Sequence, residues 1–146
     1  MHYVSGEEIL AIHAAIIDET GGSHGVREIE LFRSIIEKWK MSFGGKELYE
    51  GVFVKAATYC ESLTQYHVFI DGNKRTALAT SARFLFINGY TLTATNKELE
   101  RFILTVVTKK IPIKKIAGWF KKYSKKYSSA YSVSTHRNAH LHRHIK

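Results

Sequence analysis

The sequence predicts an all-α protein, a compact bundle of about six helices with a short flap before a central helix. Three observations predict it. Apolar residues recur at helical spacing in separate stretches along the first 123 residues. Ser/Thr-x-x-Glu start signals, glycines and a single proline punctuate those stretches. Strand signals are scarce beyond "YTLTA".

Each element follows from its residues. "SGEEILAIHAAIIDETGG" opens with Ser5 as N-cap and Glu8 as the partner of a capping box. Ile9, Ile12 and Ile16 share a face, and Gly21 and Gly22 stop the helix. A second helix is expected from about Arg27 to Trp39, with Ile29, Phe32, Ile36 and Trp39 on one stripe. "KMSFGGKELYEG" has glycines and little periodicity, so it reads as a loop or short hairpin. The third helix, about Val52 to Tyr66, is apolar on most sides and therefore central. A fourth runs from about Arg75 to Asn88 with Leu78, Ala82, Leu85 and Phe86, ending at Gly89. Thr95 and Glu98 begin a fifth, and Pro112 suits the first turn of a sixth holding Ile113, Ile116, Trp119 and Phe120. "KKYSKKY" is read onto that last helix.

The chain has 146 residues, 45% of them hydrophobic, which is enough for one self-sufficient core. It divides into a folded domain, 1–126, and a basic, His-rich tail, 127–146, expected to be disordered. One cysteine, Cys60, lies in an apolar helical run and reads as a buried, reduced thiol, as in a cytoplasmic protein. The start lacks the pattern of a signal peptide, and no apolar run reaches membrane-spanning length, so no membrane partner is expected. The net charge of +9 is uneven. Residues 1–108 carry 11 Lys and Arg against 13 Asp and Glu, whereas 109–146 carry 11 and no acid. Attraction to polyanions therefore belongs to the C-terminal end, where a weak nucleic-acid contact is expected. His136, His140, His142 and His144 fit no strong zinc spacing. His13 and His24 read as structural or exposed.

The stretch that carries chemistry is "YHVFIDGNKRTA", Tyr66 to Ala77. Asp-Gly and Gly-Asn are turn dipeptides, so the chain bends between two helices and enters the next one near Arg75. The first N–H groups of that helix have no intrahelical partner, and its dipole favours negative charge. This suits phosphate. Gly72 allows close backbone approach, and Asn73 tolerates a left-handed conformation. Lys74 and Arg75 add cations, Asp71 is a hard oxygen ligand of the kind that holds Mg²⁺, and His67 can accept a proton. Phe69 packs inward and pins the loop. A base, a metal ligand and a phosphate cradle are the parts of phosphoryl or nucleotidyl transfer.

These residues resemble the signature of the Fic family, His-x-Phe-x-Asp/Glu-Gly-Asn-Gly/Lys-Arg, and most closely its death-on-curing branch of toxins, in which Lys stands where AMP-transferring members have Gly. "GVREIELFRSII", "FGGKELYEGVFVKAA" and "TALATSARFLFINGYTLTATNKELE" extend the resemblance over residues 2–123. The resemblance implies a Fic-type helical bundle, with His67 as general base for a target Ser or Thr hydroxyl, Asp71 as Mg²⁺ ligand, Gly72 and Asn73 as the anion-binding turn, and Lys74 and Arg75 on ATP phosphates. Lys74 would crowd the AMP-transfer pose and favour presentation of the γ-phosphate. The implied function is a protein kinase toxin acting on elongation factor Tu and arresting translation. The segment from about Met41 to Leu48 would hold the target by strand pairing. The family's inhibitory segment, Ser/Thr-x-x-x-Glu-Gly/Asn, has no match here, which implies a cognate antitoxin supplied in trans. Two readings stay open beside this one: protein AMP transfer, and a ribosome- or RNA-binding module with a vestigial site.

Overall fold

The computed structural model describes residues 1–127, so the tail expected over 127–146 lies, apart from Tyr127, outside the described residues. Six helices carry the fold: α1 Gly6–Thr20, α2 Ile29–Lys38, α3 Val52–Gln65, α4 Asn73–Ile87, α5 Asn96–Lys109 and α6 Ile113–Lys122. The expected all-α bundle is what forms. Two small antiparallel pairs accompany it: β1 Ser42–Phe43 with β2 Lys46–Glu47, and β3 Tyr90–Leu92 with β4 Ser124–Lys126.

Helix α4 is the axis. Every residue from Thr76 to Phe86 is buried, and α3 packs along it. The small residues Ala77, Ala79 and Ala82 on α4, and Ala56 and Ala57 on α3, let the two helices approach closely. On its other flank α3 meets α6. Ile9, Ile16, Tyr59, Leu63, Phe84, Leu85, Leu99, Ile116 and Phe120 complete the core at 1% exposure or less, and each such side chain contributes roughly 1.5–3 kcal/mol.

Several local expectations are sharpened or corrected. Ser5 Oγ accepts from Glu8 N at 3.1 Å, but Glu8 does not reach back to close the box; its carboxylate pairs with the buried Arg83 Nε at 2.6 Å and ties α1 to α4. The Thr95–Glu98 box is complete, with bonds of 2.9 and 3.1 Å. Helix α2 starts at Ile29, and the amides of Arg27 and Glu28 before it both donate to Val68 O. Its buried residues are Phe32 and Ile35, while Ile29 is exposed. Pro112 is the N-cap of α6 and not its first turn. "KKYSKKY" is not one helical run: α6 ends at Lys122, and Ser124–Lys126 pairs with β3. Cys60 is fully buried, and burial pushes its thiol up to about 12. Among the described residues, no helix is long and apolar enough to cross a membrane.

Candidate active site

The motif loop joins α3 to α4. Tyr66 ends α3 in a helical conformation, and His67 then turns into the left-handed region at φ 49°. Such backbone is uncommon for a residue with a side chain, and it clusters at functional sites. It throws the imidazole outward: His67 is exposed and has no hydrogen-bond or ion-pair partner among the described residues. Val68 and Phe69 do the opposite and are buried.

The connection between α1 and α2 grips this loop edge to edge. Val68 O accepts from Arg27 N at 2.6 Å, Ile70 N donates to Gly25 O at 3.2 Å, and Val26 bridges Phe69 in antiparallel fashion. Asn73 closes the loop from the far side. Its Oδ1 accepts from Phe69 N and its Nδ2 donates to Phe69 O, both at 3.0 Å. The asparagine side chain is therefore committed to the loop, and the left-handed residue is Gly72, at φ 78° and ψ 18°. A side chain would be strained in this left-handed backbone, and its Cβ would stand 3.0 Å from Ile17 Cδ1, which would have to give way.

His13, on α1, is the residue that sequence reasoning undervalued. Its ring is 4% exposed and stacks on Phe69 with centroids 3.9 Å apart and planes 9° apart. Its Nε2 donates to Asp71 O at 2.7 Å, because a carbonyl can only accept. Burial holds its pKa below the usual histidine range, and the hydrogen bond to Asp71 only partly opposes this. His24 is exposed and pairs with Asp18 at 2.8 Å.

Asp71 is half-buried. One carboxylate oxygen, Oδ2, accepts from Ser23 N at 2.8 Å; Oδ1 has no partner among the described residues. No group of three metal-ligating side chains exists among the described residues. The donor set thus fits a hard cation that takes one carboxylate oxygen and draws its other oxygens from phosphate and water, which is the habit of Mg²⁺.

Helix α4 begins immediately after this carboxylate. Its first main-chain bond runs from Thr76 N to Gly72 O at 2.9 Å, so the N–H groups of residues 73–75 lie outside the ladder. The first turn carries no acid. Lys74 is exposed without an ion-pair partner among the described residues, while Arg75 Nη1 donates to Thr20 Oγ1, which itself donates to Ile16 O at 2.7 Å. Both cations line a cleft of about 640 Å³ whose wall includes Thr20, Leu78, Leu99 and Ile103. A pocket of that volume suits a nucleotide-sized molecule. Of the expected site residues, Lys74 and Arg75 line this cleft; His67, Asp71 and Gly72 lie on the loop that leads into it, and Asn73 opens α4.

Comparison with known proteins agrees with this geometry. Residues 3–85 match the Fic/DOC family. The chain is 30% identical over 122 residues to "Protein kinase doc" of Escherichia phage P1, covering 84% of this chain and 95% of that protein. It is 34% identical over 92 residues to "Toxin Doc" of Mycolicibacterium smegmatis, covering 63% of this chain and 68% of that protein. With its helical bundle, its pinned His-x-Phe-x-Asp-Gly-Asn-Lys-Arg loop and these relatives, the chain belongs to the Doc branch of the Fic/Doc family.

Proposed function

We propose that this chain is the toxin of a toxin–antitoxin pair and acts as a protein kinase. It transfers the γ-phosphate of ATP to a Ser or Thr hydroxyl of a translation protein resembling elongation factor Tu, and so arrests translation. The observation that carries this reading is Lys74. It is an exposed cation in the first turn of α4 that lines the cleft, and the resemblance to AMP-transferring Fic members, which have Gly at this position, implies that Lys here disfavours AMP transfer. The relative named a protein kinase supports it.

The residues divide the work. The apolar wall of Leu78, Leu99 and Ile103 suits the base and sugar of ATP. Lys74, Arg75 and the unpaired N–H groups of the first turn bind the phosphate chain. Mg²⁺ at Asp71 would offset charge on the phosphates. His67, exposed at the loop's edge, takes the proton of the target hydroxyl as its oxygen bonds to the γ-phosphorus. The bond from that phosphorus to the β–γ bridging oxygen breaks, and its electron pair leaves with ADP. The relative named a toxin supports a separate antitoxin as partner.

The test is label transfer. The full chain is incubated with Mg²⁺, purified elongation factor Tu, and ATP labelled at either the α or the γ position. Label from the γ position alone, abolished by His67→Ala, is the expected result. Label from the α position refutes the kinase reading in favour of AMP transfer. Undiminished growth arrest by His67→Ala refutes any enzymatic reading.

A further inference from the structure

Arg75 stands at the end of its own helix that opposes it. It lies in the first turn of α4, where the dipole disfavours a cation, and that turn carries no acid to offset it. Among the described residues no carboxylate forms an ion pair with it. Its Nη1 donates instead to Thr20 Oγ1. Thr20 is the last residue of α1, and the last turn of α1 has no basic residue of its own. The C-terminal end of a helix favours positive charge. Arg75 brings that charge from another helix, so the end of α1 compensates what the start of α4 opposes.

The tether is directed. Thr20 Oγ1 donates its proton to Ile16 O at 2.7 Å. A hydroxyl has a single proton to give, so towards Arg75 it accepts. The backbone of α1 thereby fixes the rotation of the hydroxyl and aims its remaining lone pair at the guanidinium. A carboxylate in this place would hold the guanidinium more strongly, but it would also neutralise the charge that a phosphate needs. The hydroxyl holds it and leaves the charge intact. One N–H of the guanidinium is engaged, and the rest of the fork stays open to phosphate oxygens. Thr20, Lys74 and Arg75 line the same cleft. The two cations differ in one respect. Arg75 is half-buried and set in place, whereas Lys74 is exposed and has no ion-pair partner among the described residues. Ordering a long cationic side chain costs rotamer freedom, and the tether removes that freedom before a ligand arrives.

We propose that Thr20 is a positioning residue of the phosphate site: its hydroxyl holds Arg75 in the conformation that receives the phosphate chain of ATP. Thr20 acts through Arg75 and does not touch the reacting atoms. This inference rests on the reading of the cleft as the ATP site.

The experiment titrates the full chain with ATP and Mg²⁺ by calorimetry, with no target protein present. Thr20→Val removes the hydroxyl and keeps the branched shape, and Thr20→Ser keeps the hydroxyl. Thr20 is exposed at a helix end, so neither change disturbs the core. Thr20→Val should raise the Kd for ATP about fivefold, as for an arginine that is correctly placed about a fifth of the time once untethered. Thr20→Ser should bring the Kd back to within about twofold of wild type, since the hydrogen bond is restored. Arg75→Ala should weaken binding as well, and combining it with Thr20→Val should bring no further loss, because a residue that works through Arg75 then has nothing to hold. A defect in the cleft wall would instead give an additive loss. Unchanged or tighter ATP binding by Thr20→Val overturns the tether, as does an additive loss in the double variant or a failure of Thr20→Ser to restore affinity. Absence of ATP binding by the wild-type chain overturns the nucleotide reading of the cleft and the inference with it.

Discussion

Replacing His13 is the sharpest test of how the motif loop is held. The ring is almost fully buried, stacks on Phe69 and gives Asp71 O its hydrogen bond. His13→Ala removes the ring, for which large-to-small substitutions of buried aromatic side chains cost about 3–5 kcal/mol. It also strands a half-buried carbonyl, at about 1–3 kcal/mol. The two effects overlap, so a total of about 4 kcal/mol is expected, a large share of the roughly 5–15 kcal/mol of a typical domain. His13→Phe separates them, since it keeps the stack and loses only the donor, and should cost about 1–3 kcal/mol. Urea unfolding monitored by circular dichroism reads both. The pH dependence adds a second signature. The folded ring binds its proton less readily than the unfolded chain, whose histidine titrates near 6.5. Its contribution is fully present above that pH, and stability falls as pH drops through about 6.5 towards the lower folded value. His13→Phe should abolish that part of the slope. If His13→Ala unfolds within about 0.5 kcal/mol of wild type, as an ordinary surface change does, the reasoning about the loop is refuted.

Four further outcomes are expected. Gly72→Ala meets Ile17 Cδ1 at 3.0 Å in left-handed backbone and should lower stability by about 1–3 kcal/mol in the same urea assay. His67→Ala should leave the melting temperature within about 2 °C of wild type, because the ring is exposed and unpaired among the described residues, yet remove transfer by a factor of about 10² or more. Lys74→Gly should cut γ-label transfer about tenfold or more and raise α-label transfer, read by autoradiography. Cys60, fully buried with its thiol pushed up to about 12, should resist a thiol reagent in the native chain and react on unfolding, followed by absorbance.

The helices were legible because their signals are local. Spacing, caps and glycine stops act within one or two turns, and they located the starts of all six helices to within about two residues, whereas the end of α6 was placed past Lys122. The chemical motif was legible for the same reason, since its residues are neighbours in the chain. What escaped depends on distant partners. Lys55 reads as a polar interruption of an apolar helix until Glu47 and Trp39 O are brought to it. His13 stands 58 residues from Asp71 in sequence, and nothing in "AIHAA" announces that contact. Ser124–Lys126 has no strand pattern and pairs because β3 offers an open edge, a case of tertiary context overriding local preference. Asn73 was read for its backbone tolerance, but its side chain turned out to be the clasp across Phe69.

The double grip on the motif loop bears on portability. The loop takes its shape from Gly25, Val26, Arg27, Ser23 and His13 as much as from its own residues. Grafting Tyr66 to Ala77 onto another helix pair would carry the reactive groups and leave their mould behind. The smallest transplantable unit is two separate segments, 13–28 and 66–76, held against each other by a scaffold that preserves both.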